Sequence, residues 1–320
     1  MKSKNIFAII LPLLILSCVA KEPQKPEAAQ TMPTIHKERK NPQEITSWAY
    51  WLQGPSIAAL AESPYDLIVM DYSADGTDKK KFSAKDISVL HKFDKTVLCY
   101  FSIGEAEEYR FYWQKEWKDN PPNFLGPENP DWAANYKVKY WREDWWEIGL
   151  RPYLDRILEA GFDGVYLDII DGYWFWHEQG VDITSTADDM VKLIKRIADY
   201  CRAKAGKDFI VCPQNGLGVI NDCSLVYRDL YLKTVNMVGL ESLLTNVHSK
   251  NDQKYRLEIA KEIADSSITI LGVEYIDEQE YPAYLEQVKT LDFNLIPYGS
   301  APDAALDTLT NFSKYHQSQK

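Results

Sequence analysis

From residue 45 onward, short apolar runs rich in β-branched residues alternate with longer amphipathic stretches. The short runs are typical of buried strands and the longer stretches of helices packed on a sheet. The eight predicted strands are Thr46–Leu52, Tyr65–Tyr72, Thr96–Ile103, Gly164–Ile170, Phe209–Pro213, Val235–Leu240, Ile268–Val273 and Phe293–Ile296. The predicted helices are Ser56–Glu62, Ser83–Phe93, Asp144–Ala160, Ser185–Ala205, Leu225–Lys233, Gln253–Asp265, Glu278–Leu291 and Asp303–His316. This order predicts an α/β fold, a single-domain (β/α)₈ TIM barrel over residues 45–320.

The connection after the third strand is unusually long. It runs from Glu105 to Glu143, whereas strand-to-helix loops usually have about 2–6 residues. Its ten aromatic residues are Tyr109, Phe111, Tyr112, Trp113, Trp117, Phe124, Trp132, Tyr136, Tyr140 and Trp141. Aromatic rings stack on sugar rings, but they also form small cores beneath long loops. We expect any single tryptophan to have the packing role. Of the ten tryptophans in the whole chain, however, we expect several to line a groove.

The first 44 residues have the pattern of an export segment. Lys2 and Lys4 precede the apolar run Ile6–Leu16, which is shorter than the roughly 20 residues of a membrane span and predicts a signal peptide over residues 1–17. The residues before Cys18 resemble a bacterial lipobox, which implies lipidation of Cys18 and a membrane anchor at the periplasmic or cell-surface face. Ordinary secretion is the alternative. Residues 18–44 are rich in Pro, Lys, Glu, Gln and Ala, which predicts a flexible tether.

The net charge limits the kinds of ligand that this protein can bind, and the cysteines bear on disulfide and metal sites. The formal net charge of −11 argues against nucleic acid, which needs a basic face, and favours either a cationic ligand or simple solubility. The four cysteines beyond Cys18 are Cys99, Cys201, Cys212 and Cys223, and their pairing stays open. No Cys-x-x-Cys or His-rich spacing indicates a metal, and we expect no cofactor. We also expect the protein to be a monomer.

Carboxylates and amides follow nearly every predicted strand. In barrel enzymes these carboxyl-terminal strand ends carry the chemistry. The polar residues there are Gln53, Asp71, Tyr100, Ser102, Glu105, Asp168, Asp171, Gln214, Asn215, Glu241, Glu274 and Tyr275, with almost no Lys or Arg among them. Two carboxylates suffice for glycoside hydrolysis, and crowding raises the pKa of one of them. Motifs for a serine hydrolase, a phosphate-binding loop or a His-Glu-x-x-His zinc site are missing from the sequence.

Several segments carry a family resemblance. They are WAYWLQG (48–54), DLIVMDYS (66–73), LCYFSIGEAEEYR (98–110), GFDGVYLDIIDGY (161–173), PQNG (213–216), GLES (239–242) and GVEYI (272–276). Together they resemble glycoside hydrolase family 114, the endo-α-1,4-polygalactosaminidases, which have a TIM barrel. The resemblance covers residues 46–300, and the segments after strands three and four are its most specific part.

The resemblance implies that Asp168 and Glu241 form the catalytic pair. By analogy with other α-glycosidase barrels, Asp168 would be the nucleophile and Glu241 the general acid/base. The structural alternatives are that Asp168 caps the following helix and that Glu241 pairs with an arginine. Seven further residues are candidates for holding sugar hydroxyls or the amine: Asp71, Tyr100, Glu105, Asp171, Tyr173, Asn215 and Tyr275.

Two other functions remain open at the level of sequence. One is a non-catalytic glycan-binding lipoprotein on the same barrel, and the other is a glycosidase for another α-linked sugar. The acidic strand ends favour a polysaccharide of galactosamine, since its ammonium groups would be attracted to a negative cleft.

Overall fold

The computed structural model describes residues 39–312 and Tyr315. Its eight parallel strands follow the predicted order, with bounds within a few residues of the prediction. They are β1 (Trp48–Tyr50), β2 (Leu67–Met70), β3 (Thr96–Ser102), β7 (Gly164–Asp168), β8 (Ile210–Pro213), β9 (Met237–Glu241), β10 (Thr269–Tyr275) and β11 (Leu295–Ser300). The α/β fold with a parallel sheet is thus confirmed.

The parallel strands form two ladders. One has the order β1-β2-β3-β7-β8 and the other β9-β10-β11. A single parallel bridge between Gln214 and Gly239 joins β8 to β9. At the other seam, the indole N–H of Trp48 on β1 donates to the carbonyl of Ile296 on β11 at 2.9 Å. The strands therefore follow the order of a barrel, and over residues 39–312 the backbone ladder is interrupted at these two seams.

Large aromatic side chains fill the space that the strands enclose. Trp48, Tyr50, Tyr166 and Tyr298 are fully buried, with the rings of Tyr50 and Tyr166 5.2 Å apart. Gly239 faces them, and a Cβ at that position would lie 1.9 Å from the Tyr166 hydroxyl. The lack of a side chain at Gly239 on β9 therefore leaves room for the Tyr166 ring in the core. A close-packed interior could not hold a methyl group so near the Tyr166 hydroxyl.

Helices lie between successive parallel strands. The described helices are α1 (Ile57–Glu62), α2 (Ala84–Lys92), α3 (Glu143–Trp145), α4 (Arg151–Ala160), α5 (Gly172–Glu178), α6 (Ile183–Ala205), α7 (Val219–Asp222), α8 (Leu225–Thr234), α9 (Lys250–Asp265) and α10 (Tyr281–Lys289). A π-helical turn, Trp146–Leu150, joins α3 to α4. Ser83 and Asp86 form a capping box at the start of α2. None of the described helices is long and apolar enough to span a membrane.

The long connection after β3 folds into a small antiparallel sheet, which the sequence pattern did not predict. Its strands are β4 (Glu105–Glu107), β5 (Leu125–Glu128) and β6 (Asn135–Val138), in the order β4-β6-β5. Trp117 and Phe124 pack edge-to-face beneath it, with ring centroids 5.3 Å apart. Four aromatic residues of the insertion, Tyr112, Trp117, Phe124 and Tyr140, are buried in a cluster that is continuous with the barrel core. They have the packing role that was expected of any single tryptophan.

The predicted last helix, Asp303–His316, is wrong over the part that the structure describes. Residues 303–312 are irregular, and Ala304 and Leu306 have φ angles of +54° and +50°. The Leu306 carbonyl accepts hydrogen bonds from the N–H groups of Leu52 and Gln53 at 2.9 and 3.0 Å. These tertiary bonds hold the segment across the strand ends and override its helical pattern.

The predicted tether ends earlier than residue 44. Arg39 donates to the Ala205 carbonyl at 2.9 Å and pairs with Asp208 at 2.8 Å. Residues 42–44 form a 3₁₀ turn, and Gln43 donates to the Ser267 carbonyl at 2.7 Å. The signal segment, Cys18 and residues 18–38 lie outside the described residues, so the export, anchor and location stay predictions. Cys99, Cys201, Cys212 and Cys223 are all buried free thiols.

Candidate active site

A cleft opens at the carboxyl-terminal ends of the parallel strands. Its volume is about 830 Å³, which lies in the range of sites that enclose small-molecule ligands. Of the predicted site residues, eight line this cleft: Asp71, Tyr100, Glu105, Asp168, Asp171, Asn215, Glu241 and Tyr275. The strand ends therefore do bring most of the candidate side chains together.

Asp168 ends strand β7. Its Oδ2 accepts a hydrogen bond from the Tyr100 hydroxyl at 2.6 Å, and its Oδ1 accepts one from the Ile169 N–H at 2.8 Å. Loss of water around Asp168, and next the charge of Glu241, raise its pKa to about 7. The hydrogen bonds from Tyr100 and Ile169 oppose that rise. Asp168 accepts the N–H of its neighbour rather than one from helix α5, so the capping alternative does not hold.

Glu241 ends strand β9 and is held by two donors. Its Oε2 accepts from the Asn215 amide at 2.8 Å, and its Oε1 accepts from the Tyr275 hydroxyl. The Asn215 side-chain oxygen also accepts the Glu241 N–H at 3.0 Å, so these two residues are joined reciprocally. Arg256 lies close by, yet it donates to the main-chain carbonyl of Glu241 at 2.6 Å. The alternative that an arginine pairs with the Glu241 carboxylate is therefore wrong, because Arg256 contacts only the main chain of Glu241.

Three neighbouring strand ends share a left-handed backbone. Ile169, Asn215 and Ser242 have φ angles of +59°, +53° and +48°. Such a conformation costs about 1–3 kcal/mol and is rarest for β-branched residues such as isoleucine. Gly104 leaves room for the turn at Ile169, whose carbonyl would lie 2.3 Å from any Cβ there. The conformation at Ile169 keeps its N–H within bonding distance of the Asp168 carboxylate.

A buried ion cluster forms one wall of the cleft. The Arg110 side chain is 1% exposed and binds Asp71 through both terminal guanidinium nitrogens, at 2.9 and 2.7 Å. Its Nε also donates to Glu107 at 2.5 Å, and Tyr109 donates to Glu107 at 2.6 Å. Burial raises the pKa of Asp71, and the guanidinium opposes that rise. Asp71 is therefore already occupied by Arg110 rather than free to bind a ligand.

A second cation comes from the insertion. Lys137 on β6 lies 2.5 Å from the Glu105 carboxylate, which also accepts a hydrogen bond from Asn129 at 2.9 Å. Asp171 stays open to the cleft, and partial loss of water raises its pKa against the pull of Lys137. The strand-end residues themselves include almost no Lys or Arg, as expected, but Arg110 and Lys137 reach those ends from the insertion.

Two of the polar residues named from the sequence face away from the cleft. The Tyr173 hydroxyl donates to Asp222 at 2.7 Å and is not part of the cleft lining. Glu274 precedes Tyr275 on β10 and points to the opposite side, because side chains alternate along a strand. It accepts the N–H groups of Leu244 and Thr245 at 2.7 and 3.1 Å and so fixes the loop after Glu241.

Sequence comparison decides the family. The family model described as glycoside-hydrolase family GH114 matches residues 28–304. The chain belongs to this family. It is therefore a glycoside hydrolase, as the resemblance of its segments implied.

Relatives and solved structures agree with this assignment. An uncharacterised protein of Methanocaldococcus jannaschii is 36% identical, over 98% of this chain and 95% of its own length. One of Thermotoga maritima is 34% identical, over 82% and 83%. The glycoside hydrolase domain of PelA from Pseudomonas aeruginosa has a TM-score of 0.63 at 14% identity, covering 82% of this chain and 97% of that domain. Aspergillus fumigatus Ega3, solved in complex with galactosamine, has a TM-score of 0.59 at 16% identity, covering 83% and 94%. Because their sequence identities to this chain are only 14% and 16%, these two structures show a shared fold and no more.

The cleft lining also contains residues that the sequence prediction did not name as site residues. Glu107 and Arg110 line the cleft, as do Ala304–Leu306 from the irregular final segment. Trp132, one of the aromatic residues of the insertion, lines it as well. Glu107 and Arg110 fall inside the segment SIGEAEEYR, which was the only signal available for them.

Between residues 39 and 312, no three His, Cys, Asp or Glu side chains are arranged to hold a metal ion.

Proposed function

We propose that this glycoside hydrolase cleaves α-1,4-linked galactosamine-containing polysaccharide, with Asp168 and Glu241 as its catalytic carboxylates. One observation carries the proposal. Both carboxylates line the same cleft, each accepts two hydrogen bonds, and neither forms an ion pair within the described part of the chain. They are thus oriented but not neutralised, unlike Asp71, Glu105 and Glu107.

In the proposed reaction, Glu241 donates a proton to the glycosidic oxygen while Asp168 attacks the anomeric carbon. The leaving chain departs with that proton, and a glycosyl ester forms on Asp168. Glu241 then removes a proton from water, and the water oxygen displaces Asp168. Tyr100 and the Ile169 N–H orient Asp168, whereas Asn215 and Tyr275 orient Glu241. Burial raises the pKa of Tyr100 and of Tyr275, so both phenols stay protonated as donors.

Charge in the cleft supports galactosamine as the sugar. Three carboxylates of the lining, those of Asp71, Glu105 and Glu107, pair with Arg110 or Lys137. Four others form no ion pair within the described residues and leave an excess of negative charge; they belong to Asp75, Asp168, Asp171 and Glu241. The ammonium of an unacetylated galactosamine is attracted to such an excess of negative charge. Ega3, which has the same fold, was solved with galactosamine.

The direct test is to incubate the purified protein with partially deacetylated α-1,4-galactosamine polymer and measure the size of the products. We expect a falling mean chain length with fragments of mixed size, because an open cleft binds the interior of a chain. A polymer that is bound but never shortened would support the non-catalytic alternative. Cleavage of an α-1,4-glucan but not of this polymer would support the other glycosidase.

The pH profile tests whether one ionised and one protonated carboxylate act together. The proposed reaction needs Asp168 ionised while Glu241 is protonated, so kcat/KM should pass through a maximum and fall at both lower and higher pH. Burial raises the pKa of Asp168 to about 7, so one limb of the profile should lie near neutral pH. A profile that is flat from about pH 5 to pH 9 would contradict this pairing. Asp171→Asn serves as the control, since the pKa of Asp171 is also raised, and this variant should keep a maximum of the same shape.

A further inference from the structure

Trp132 stands apart from the other tryptophans of the chain. It lies at the tip of the β5–β6 hairpin, its side chain is 63% exposed, and it lines the cleft. Trp113, Trp117 and Trp145, by contrast, pack within the insertion and against the barrel. Trp132 is therefore a large apolar side chain that takes no part in the packing of the insertion against the barrel core.

The backbone around Trp132 is held firmly. The Trp132 carbonyl accepts the Asn135 N–H at 3.2 Å, and Ala134 has a φ angle of +66°. Ala134 donates to the Glu128 carboxylate at 2.7 Å, and its carbonyl accepts the Glu108 N–H at 2.8 Å. The turn is thus tied to both strands of the hairpin and to the segment after β4. A residue on such a fixed turn has little backbone entropy to lose when a ligand covers its ring.

The chemistry of an indole face matches one face of a sugar. A galactosamine ring groups its axial C4 hydroxyl on one side and presents C–H groups on the other, and aromatic rings stack on such apolar faces. The cleft, at about 830 Å³, has room for more than one sugar ring. Arg110 and Lys137 neutralise carboxylates on the insertion side of the cleft. On this side of the cleft, a sugar is therefore held less by attraction of its ammonium group. Stacking on the Trp132 ring is the contact that remains for it.

We propose that Trp132 is a stacking platform for a sugar residue beyond the one held between Asp168 and Glu241. The insertion then sets chain-length specificity, because only oligosaccharides long enough to reach Trp132 gain this contact. This inference rests on the proposed function, since it takes the polymer of galactosamine as the ligand.

The test compares wild type, Trp132→Ala and Trp132→Phe on α-1,4-galactosamine oligosaccharides of two to eight residues and on the polymer. For Trp132→Ala we expect kcat/KM on the polymer and the longest oligosaccharides to fall about 3- to 10-fold. The shortest cleaved oligosaccharide should be unaffected, and Trp132→Phe should stay within about twofold of wild type. Trp174→Ala is the matched control, because Trp174 is 45% exposed but lies outside the cleft lining, and it should behave as wild type.

Retardation of each protein in gels that contain the polymer is measured in parallel. An equal loss on every chain length, or no loss on the polymer, would overturn the platform while leaving the proposed function intact. A wild type that is retarded without cleaving, with retardation lost in Trp132→Ala, would support the platform and refute the hydrolysis of this polymer. A wild type that neither cleaves nor is retarded would overturn both.

Discussion

Replacing Asp168 by asparagine is expected to lower kcat/KM on the galactosamine polymer by at least about 1,000-fold. The amide has nearly the same shape, and its single acceptor oxygen can keep one of the two hydrogen bonds, from Tyr100 or from the Ile169 N–H. It cannot attack the anomeric carbon as a carboxylate does. Glu241→Gln should lose about 100- to 10,000-fold through the missing proton transfer. Asp171→Asn, a nearby acid open to the cleft, should lose less than about tenfold.

The same Asp168→Asn variant should be more stable than wild type, and the gain should depend on pH. The folded pKa of Asp168 is about 7, against about 3.9 for an unfolded chain. The folded state therefore binds the proton more tightly, and ionisation of Asp168 costs stability. This cost is absent below about pH 4, grows as the pH rises, and is complete above pH 7, where it reaches about 4 kcal/mol at most.

Thermal unfolding checks this sign. The Tm difference between Asp168→Asn and wild type should be larger at pH 8 than at pH 5. Lost activity together with higher stability would identify Asp168 as a residue kept for chemistry at the expense of the fold. If the variant is inactive but less stable than wild type at both pH values, the loss of activity reflects damage to the structure instead.

The parts of the fold predicted from the sequence are those that local pattern controls. Apolar runs specify the parallel strands within a few residues, and Asp168 and Glu241 lie where such strands end. The capping box at Ser83 and Asp86 is equally local. By contrast, the segment after Asp303 has a helical pattern, but its conformation is set by hydrogen bonds to Leu52 and Gln53, which are distant in sequence.

The same distinction explains the errors at the site. Asp71 looked available because its partner Arg110 lies 39 positions later, inside an insertion whose fold no local pattern indicates. Tyr173 follows a predicted strand end, yet its hydroxyl donates to Asp222, the last residue of helix α7. Sequence position identified which strand ends carry polar groups. It could not show which of those groups were already paired.

Replacing Arg110 by methionine is the substitution with the largest expected cost in stability. The change leaves Asp71 and Glu107 buried without a cation, and breaking a buried pair in this way costs about 3–5 kcal/mol. Methionine keeps much of the side-chain volume, so the loss comes from charge more than from a cavity. We expect Tm at pH 8 to fall by on the order of 10 °C. The matched control is Arg151→Met, which breaks a pair with Glu147 where the arginine side chain is 40% exposed, and it should cost less than about 1 kcal/mol.

The pH dependence of the Arg110→Met variant distinguishes unpaired charge from poor packing. Without Arg110, nothing opposes the rise that burial causes in the pKa of Asp71, so the folded state takes up a proton that the unfolded state does not. The deficit in Tm should therefore shrink as the pH falls from 8 to 5, and Asp71→Asn combined with Arg110→Met should recover part of it. A deficit that is the same at both pH values would mean that Arg110 acts through packing against Tyr72 and Tyr153, whose rings lie 5.5 and 5.3 Å from its guanidinium. In that case Asp71 would not depend on Arg110 for its charge, and it would again be a candidate for binding the ammonium of the sugar.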